Sequence, residues 1–159
     1  MRFLWFGKKR APADVNQPES TPPPQEVYSV VGYVCDTDPL AGAKNTQLSA
    51  ELILSMSLTV LAQSSSPADI AAQEFFQVHG AHSLPISDYA FSADRGISAH
   101  VTNNGDQKTI LIGTPEVIAR VSAPFSPKIA AATLANTDGF VVAIDGIAYV
   151  SFAIAKEIL

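Results

Sequence analysis

Three histidines are the residues of this 159-residue sequence whose type best suits metal binding or acid–base chemistry. His79 and His82 are three positions apart, but they flank Gly80, where a helix is expected to end, and have no cysteine or acid at ligand spacing. His100 belongs to an alternating strand pattern that places it towards solvent. No Ser–His–Asp, Cys–His or paired-carboxylate arrangement has a recognisable context. The sequence therefore predicts no metal site and no enzyme, and an enzyme of unrecognised chemistry is the weakest alternative.

A run of three serines, in the segment QSSSPADIAA, has two interpretations. Ser66 stands directly before Pro67, and proline is favoured at the first position of a helix. Ser66 is therefore expected to cap that helix, with Asp69 completing a capping box at the positive end of the helix dipole. In the second interpretation, serine has replaced a side chain that a binding site would need at one of these positions.

Composition and charge exclude several classes of function. The chain has a net charge of −5, and from Glu26 onward acids outnumber bases by 13 to 6, which argues against nucleic-acid binding. Cys35 is the only cysteine, so there is no intrachain disulfide, as is typical of a reducing cytoplasm. No run of residues is apolar and long enough to cross a bilayer, and the N-terminus is not a convincing signal peptide.

The first 25 residues differ from the rest. Residues 11–25 contain five prolines and are expected to form an extended linker, so that the globular domain comprises residues 26–159. Residues 1–10 have no acid and combine aromatic with basic side chains, which suits contact with a membrane surface or a protein partner. The alternative is that this tail touches nothing. The residues expected to make the contact are Phe3, Trp5, Phe6, Lys8, Lys9 and Arg10.

Hydrophobic periodicity within the domain predicts an α+β fold. A strand (27–35) is followed by two helices (46–63 and 67–79), three strands (88–93, 96–101 and 108–113), two short helices (114–121 and 126–137) and a hairpin (139–155). The dipeptide Asp145-Gly146 and the segment TNNGDQ are hairpin signals. Tight turns between neighbouring strands predict an antiparallel sheet of about six strands.

The order of four segments resembles the nucleotide-binding (N) domain of heavy-metal P-type ATPases. These segments are AELILSMSLTVLAQSSSP, DYAFSADRGISAHV, KTILIGTPEVI and ANTDGFVVAIDGIAYVSFAIA. In that family the first helix ends in Ser-Glu-His-Pro, a Gly-x-Gly-Val strand pair and a Val-Gly-Asn turn follow, and an Asp-Gly hairpin closes the domain. The resemblance covers about residues 27–155 and implies an ATP-binding fold.

The residues that match the family's pocket depart from its pattern. The Glu-His pair falls on Ser65 and Ser66, so the imidazole that packs against adenine in such domains is missing, a loss of about 1–2 kcal/mol. The Gly-x-Gly motif falls on Asp94-Arg95-Gly96, which places a carboxylate where phosphates would approach. Tight ATP binding is therefore not expected, whereas weak binding stays open.

Two further positions belong to the same comparison. Gly113 matches the glycine of the Val-Gly-Asn turn, whereas Thr114 replaces the asparagine and is expected to cap the next helix. The nearest string to the family's phosphorylated Asp-Lys-Thr-Gly-Thr is CDTDPL, which lacks its lysine and glycine, so Asp36 is interpreted as a loop or strand-end acid.

The sequence thus favours a non-catalytic binding or regulatory module with a degenerate nucleotide site and no cofactor. It would act through protein–protein contacts with a larger or membrane-associated assembly, in the cytoplasm, with peripheral attachment at the inner face of the membrane as an open alternative. The second hypothesis is a nucleotide-binding accessory domain that takes weak ATP or another ligand in an altered pocket, related to the metal-transporting ATPases.

Overall fold

A computed structural model describes residues 25–41, 48–136 and 138–159. The predictions for the aromatic and basic tail and for the linker up to residue 24 lie outside this part of the chain. Within it, the elements are β1 (Glu26–Cys35), α1 (Ala50–Leu61), α2 (Pro67–Val78), β2 (Ile86–Ser92), β3 (Gly96–Asn103), β4 (Asp106–Gly113), α3 (Pro115–Ala119), α4 (Pro127–Ala135), β5 (Phe140–Ile144) and β6 (Ile147–Ile158).

The strands form one antiparallel sheet in the order β1-β6-β5-β4-β3-β2. Strands β2 to β6 pair with their neighbours in sequence, whereas β1 pairs with the last strand, from Glu26 opposite Ile158 to Cys35 opposite Val150. This pairing brings the first and last strands together and places β1 and β2 at the two edges of the sheet. The predicted α+β class and six-stranded antiparallel sheet are confirmed.

Helices cover both faces of the sheet because its central strands are apolar on both sides. In β4, Ile110 and Ile112 belong to the core cluster that contains α1 and α2, whereas Leu111 packs against the cluster of α3 and α4. Helix α1 is the most deeply placed helix, since every residue from Ile53 to Leu61 is buried. The larger core therefore lies between α1, α2 and the sheet.

Several boundaries differ from the sequence prediction, each for a local reason. Helix α1 begins at Ala50 rather than at residue 46 because the side chain of Ser49 accepts a hydrogen bond from the amide of Leu52 and caps it there. The predicted turn TNNGDQ is shorter than expected: β3 runs to Asn103 and β4 starts at Asp106. Both turn residues, Asn104 and Gly105, have positive φ, as a two-residue hairpin turn requires.

Candidate functional site

The N-terminus of α2 is capped as the sequence predicts, with one difference. Ser66 Oγ accepts a hydrogen bond from the amide of Asp69 at 3.2 Å, and Pro67 occupies the first turn. The expected reciprocal bond from the amide of Ser66 to Asp69 is replaced, since that amide donates to Ser64 Oγ at 3.2 Å. The predicted capping box is therefore wrong in its second half. Two of the three serines shape the turn, and Ser65 is exposed.

The turn between β2 and β3 places Gly96 against the neighbouring strand. Gly96 has φ +83°, and a Cβ built on it would lie 2.3 Å from the carbonyl oxygen of Ile112. Packing within the sheet therefore requires glycine at this position, with or without a ligand. Asp94 and Arg95 are exposed at the tip of the turn, where the amide of Asp94 donates to Ser92 Oγ at 3.3 Å.

The end of β4 leads directly into α3. Thr114 Oγ1 accepts a hydrogen bond from the amide of Val117, which confirms that this residue caps the helix. A Cβ on Gly113 would lie 3.4 Å from side-chain carbons of Val117 and Ile118. The glycine therefore allows α3 to lie close to the strand.

The start of α2, the turn between β2 and β3 and the end of β4 surround one cavity of about 180 Å³. Of the residues expected from the sequence, Gly96, Gly113 and Thr114 line it, whereas Ser65, Ser66 and Asp94 do not. The remaining lining residues come from α1, α2, the sheet and α3: Leu61, Asp69, Phe91, Ser92, Ala93, Ile97, Ile112, Val117, Phe140 and Phe152. Most of this lining is apolar, so the cavity suits an apolar group.

Asp69 is the lining residue with a charge, and the sequence placed it only in a helix cap. It is partly buried in the first turn of α2, and no lysine or arginine is among the described residues that line the cavity. Phosphate groups are usually held by arginine, lysine or clustered backbone amides. A cavity with a carboxylate and no cation suits a neutral or cationic group better than a triphosphate.

Phe91 was also missed by sequence reasoning. It lies on the edge strand β2, opposite Ile97, and its side chain is 69% exposed although it borders an apolar cavity. The alternating pattern of this strand assigned Phe91 to one face of the sheet. It did not predict that this face borders a cavity next to α2. The exposed ring of Phe91 extends the apolar surface of the cavity.

Solved structures with a similar architecture include N-domains of copper-transporting P-type ATPases. The N-domain of HMA6, a copper-transporting P-type ATPase, matches with a TM-score of 0.55 and 16% identity over 80% of this chain and 98% of that chain. The N-domain of HMA8, another copper-transporting P-type ATPase, gives 0.54 and 12% over 80% and 99%. This chain has the P-type ATPase N-domain fold. The fold that the sequence resemblance implied is thereby confirmed.

The catalytic domain of the CPx-ATPase CopB-B also matches, with a TM-score of 0.52 and 18% identity over 84% of this chain. The N-domain-like chain spans only 39% of the CopB-B chain. No protein-family model and no curated protein matches the sequence. At these identities the likeness establishes the fold, and the site must be judged by its own residues.

Ser55, His82 and Glu51 lie close together but cannot act as a catalytic triad. Ser55 Oγ is 3.2 Å from His82 Nδ1, and Glu51 Oε2 is 3.9 Å from the same nitrogen. A triad needs the serine and the acid on opposite ring nitrogens. Ser55 is also fully buried and accepts a hydrogen bond from the amide of His82 at 3.0 Å. This cluster attaches the loop after α2 to α1.

Cys35 and Asp36, at the end of β1, have structural surroundings. Burial raises the pKa of the Cys35 thiol, so the thiol is protonated and weakly nucleophilic at neutral pH. Asp36 is buried, and its carboxylate accepts hydrogen bonds from Ser126 Oγ at 2.7 Å and from the amide of Asp38 at 3.1 Å. It is a strand-end acid, as the sequence indicated.

The described residues contain neither a cluster of metal ligands nor a helix suited to span a membrane. No group of three or more His, Cys, Asp or Glu side chains is placed to hold a metal ion between residues 25 and 159, outside the gaps at 42–47 and 137. In that part of the chain, none of the helices combines the length and apolar character of a membrane span.

Proposed function

We propose that this N-domain-fold chain is a non-catalytic binding module whose cleft has lost its affinity for ATP. The cleft of the fold is present, with Gly96, Gly113 and Thr114 around it, which supports a binding role. Its lining contains Asp69 and no cation, and this observation carries the proposal against triphosphate binding. The module would regulate a larger or membrane-associated protein assembly through protein–protein contacts, in the cytoplasm.

Two features of the cleft reinforce this proposal. Ser66, where the resemblance places an adenine-stacking imidazole, is exposed and engaged in capping α2, so its hydroxyl offers no flat surface to a base. Asp94 adds a second carboxylate at the adjoining turn. We expect both changes to weaken nucleotide binding.

A second candidate function, nucleotide binding through an altered pocket, has one observation in its favour. The cavity is apolar and about 180 Å³ in volume, and a cavity of about 150 Å³ in another protein binds benzene. A nucleobase without a long phosphate chain would thus find an apolar surface and a carboxylate at Asp69 that accepts a hydrogen bond. Adenosine should then bind more tightly than ATP.

Titration of the full chain with ATP and with adenosine separates these functions. The proposed function predicts no saturable amide shifts at Gly96 or Gly113 in NMR spectra at millimolar ATP. Saturable shifts with adenosine but not with ATP would favour the second candidate. A micromolar dissociation constant for ATP would overturn the proposal.

A further inference from the structure

The volume and lining of the cavity suit one large apolar side chain. Small-molecule sites usually measure about 300–1,000 Å³, whereas this cavity measures about 180 Å³, close to the size that admits a single aromatic ring. Phe140 and Phe152 line it, with their ring centroids 5.6 Å apart, and the exposed ring of Phe91 borders it. A protein side chain inserted here would be surrounded by apolar groups.

The groups around this cavity have an acidic excess. Asp69 lines it and Asp94 lies at the adjoining turn, against one exposed base, Arg95, in the same turn. Glu116, just beyond Thr114, forms an ion pair with Arg120 at 3.7 Å. An occupant that combines an aromatic ring with positive charge is therefore complementary to this surface.

Residues 1–10 of this chain have that chemistry. They contain Phe3, Trp5 and Phe6 followed by three consecutive bases and no acid. Trp is enriched among the anchor residues of protein–protein interfaces, and its ring is rigid. The tail therefore offers both parts of the occupant that the cavity suits.

The linker is long enough to bring the tail back to the cavity. The cavity lies at the level where Phe140 pairs with Phe152, and β6 continues from there to Ile158, which pairs with Glu26. Residues 152 and 158 are about 20 Å apart along the strand. The chain thus enters the domain at the same end of the strands as the cavity. Residues 11–25 can span about 45 Å as an extended proline-rich segment.

We propose that the cleft is occupied by this chain's own N-terminal tail, with the Trp5 ring in the cavity and the bases at 8–10 beside Asp69 and Asp94. This inference rests on the proposed function, since a cleft that binds ATP tightly would be occupied by ATP rather than by the tail. Attachment through a short linker provides an effective concentration of about millimolar, so an intrinsic affinity of about 0.1 mM keeps the cleft about nine-tenths occupied. A partner or membrane that takes the tail would free the cleft.

Trp5 is the only tryptophan, so the fluorescence of the full chain measures its environment directly. The proposal predicts blue-shifted emission and several-fold weaker quenching by acrylamide than for N-acetyltryptophanamide, independent of protein concentration. Phe91→Ala should restore most of the quenching. Leu134→Ala, which removes an 81% exposed apolar side chain from α4, should leave it unchanged.

Charge variants and NMR complete the test. Asp69→Asn should increase quenching at low salt, whereas Glu74→Gln, an exposed acid of the same helix that does not line the cavity, should not. Trp5→Ser should shift the amide signals of Gly96 and Gly113. Quenching equal to that of the free compound would overturn the docking, as would protection that grows with protein concentration or that needs anionic vesicles.

These results also separate the two proposals. If Trp5 is exposed while ATP still fails to bind, the docking of the tail is wrong and the proposed function stands. If ATP binds with a micromolar constant, the proposed function fails whatever the state of Trp5.

Discussion

At the scale of single residues, several positions that match the family's nucleotide pocket in sequence have structural roles in this protein. Gly96 is required by the carbonyl of Ile112, and Ser66 and Thr114 cap helices. The identity of such residues therefore does not show that a ligand is bound. Their substitution should change stability before it changes binding.

Replacement of Gly96 by alanine should destabilise the domain more than the same change at Gly105. Both glycines have φ near +80°, but a Cβ at Gly96 would lie 2.3 Å from a backbone oxygen, whereas one at Gly105 meets nothing within 4 Å. We expect a loss of about 1 kcal/mol for Gly105→Ala and about 3 kcal/mol or more for Gly96→Ala, from urea unfolding. Equal losses would show that the close contact with β4 is absent.

Ser126→Ala should cost more stability than Ser66→Ala, although both remove a helix cap. The hydroxyl of Ser126 also donates to the buried carboxylate of Asp36 at 2.7 Å, and its loss leaves that charge with one hydrogen bond fewer. We expect about 1 kcal/mol for Ser66→Ala and about 2–4 kcal/mol for Ser126→Ala. Thermal or urea unfolding measures both, and a Ser126 variant as stable as the Ser66 variant would contradict the link between β1 and α4.

At the scale of elements, local sequence signals predicted the order of strands and helices, because each signal depends on near neighbours. Proline after serine marked the starts of α2 and α4, and Asp145-Gly146 marked the last hairpin. The length of β6 could not be predicted in this way. It extends to Ile158 because β1, more than a hundred residues away in sequence, pairs with its second half.

Helix α1 also holds the loop before β2 through buried hydroxyl groups, a role that its sequence pattern did not predict. Its serines and threonine are buried, and Thr59 Oγ1 donates to the carbonyl of Ser55 while accepting from the amide of Leu84. The hydroxyls of Ser55 and Thr59 attach the loop before β2 to the buried helix. A helical pattern alone assigned them no partner outside the helix.

Thr59→Val should therefore be more destabilising than Ser57→Ala in the same helix. The valine leaves the amide of the half-buried Leu84 without its acceptor, whereas the hydroxyl of Ser57 donates to the carbonyl of Ile53 in its own helix. We expect about 1–3 kcal/mol for Thr59→Val and less than about 1 kcal/mol for Ser57→Ala. Hydrogen exchange of the Leu84 amide provides a second measurement, and unchanged protection in the Thr59 variant would argue against this attachment.

At the scale of the whole molecule, the N-domain fold suggests nucleotide binding, whereas the side chains of its cleft do not suit a triphosphate. The sheet places the start of α2, the turn before Gly96 and the end of β4 around one cavity, as the sequence resemblance implied. Which side chains line that cavity could not be predicted, because Asp69, Phe91 and Phe152 come together only through tertiary packing. Those side chains make the cavity apolar and acidic.

The central claim is that the cleft keeps its architecture and lacks the side chains that hold ATP. An NMR titration of the Ser66→His, Asp94→Gly double variant with ATP tests it most directly, with Ser66→Ala, Asp94→Gly as the control for the lost helix cap. We predict saturable shifts at Gly96 and Gly113 in the histidine variant, and none in the control or the unmodified chain at millimolar ATP. Saturation in the unmodified chain, or none in the histidine variant, would contradict the claim.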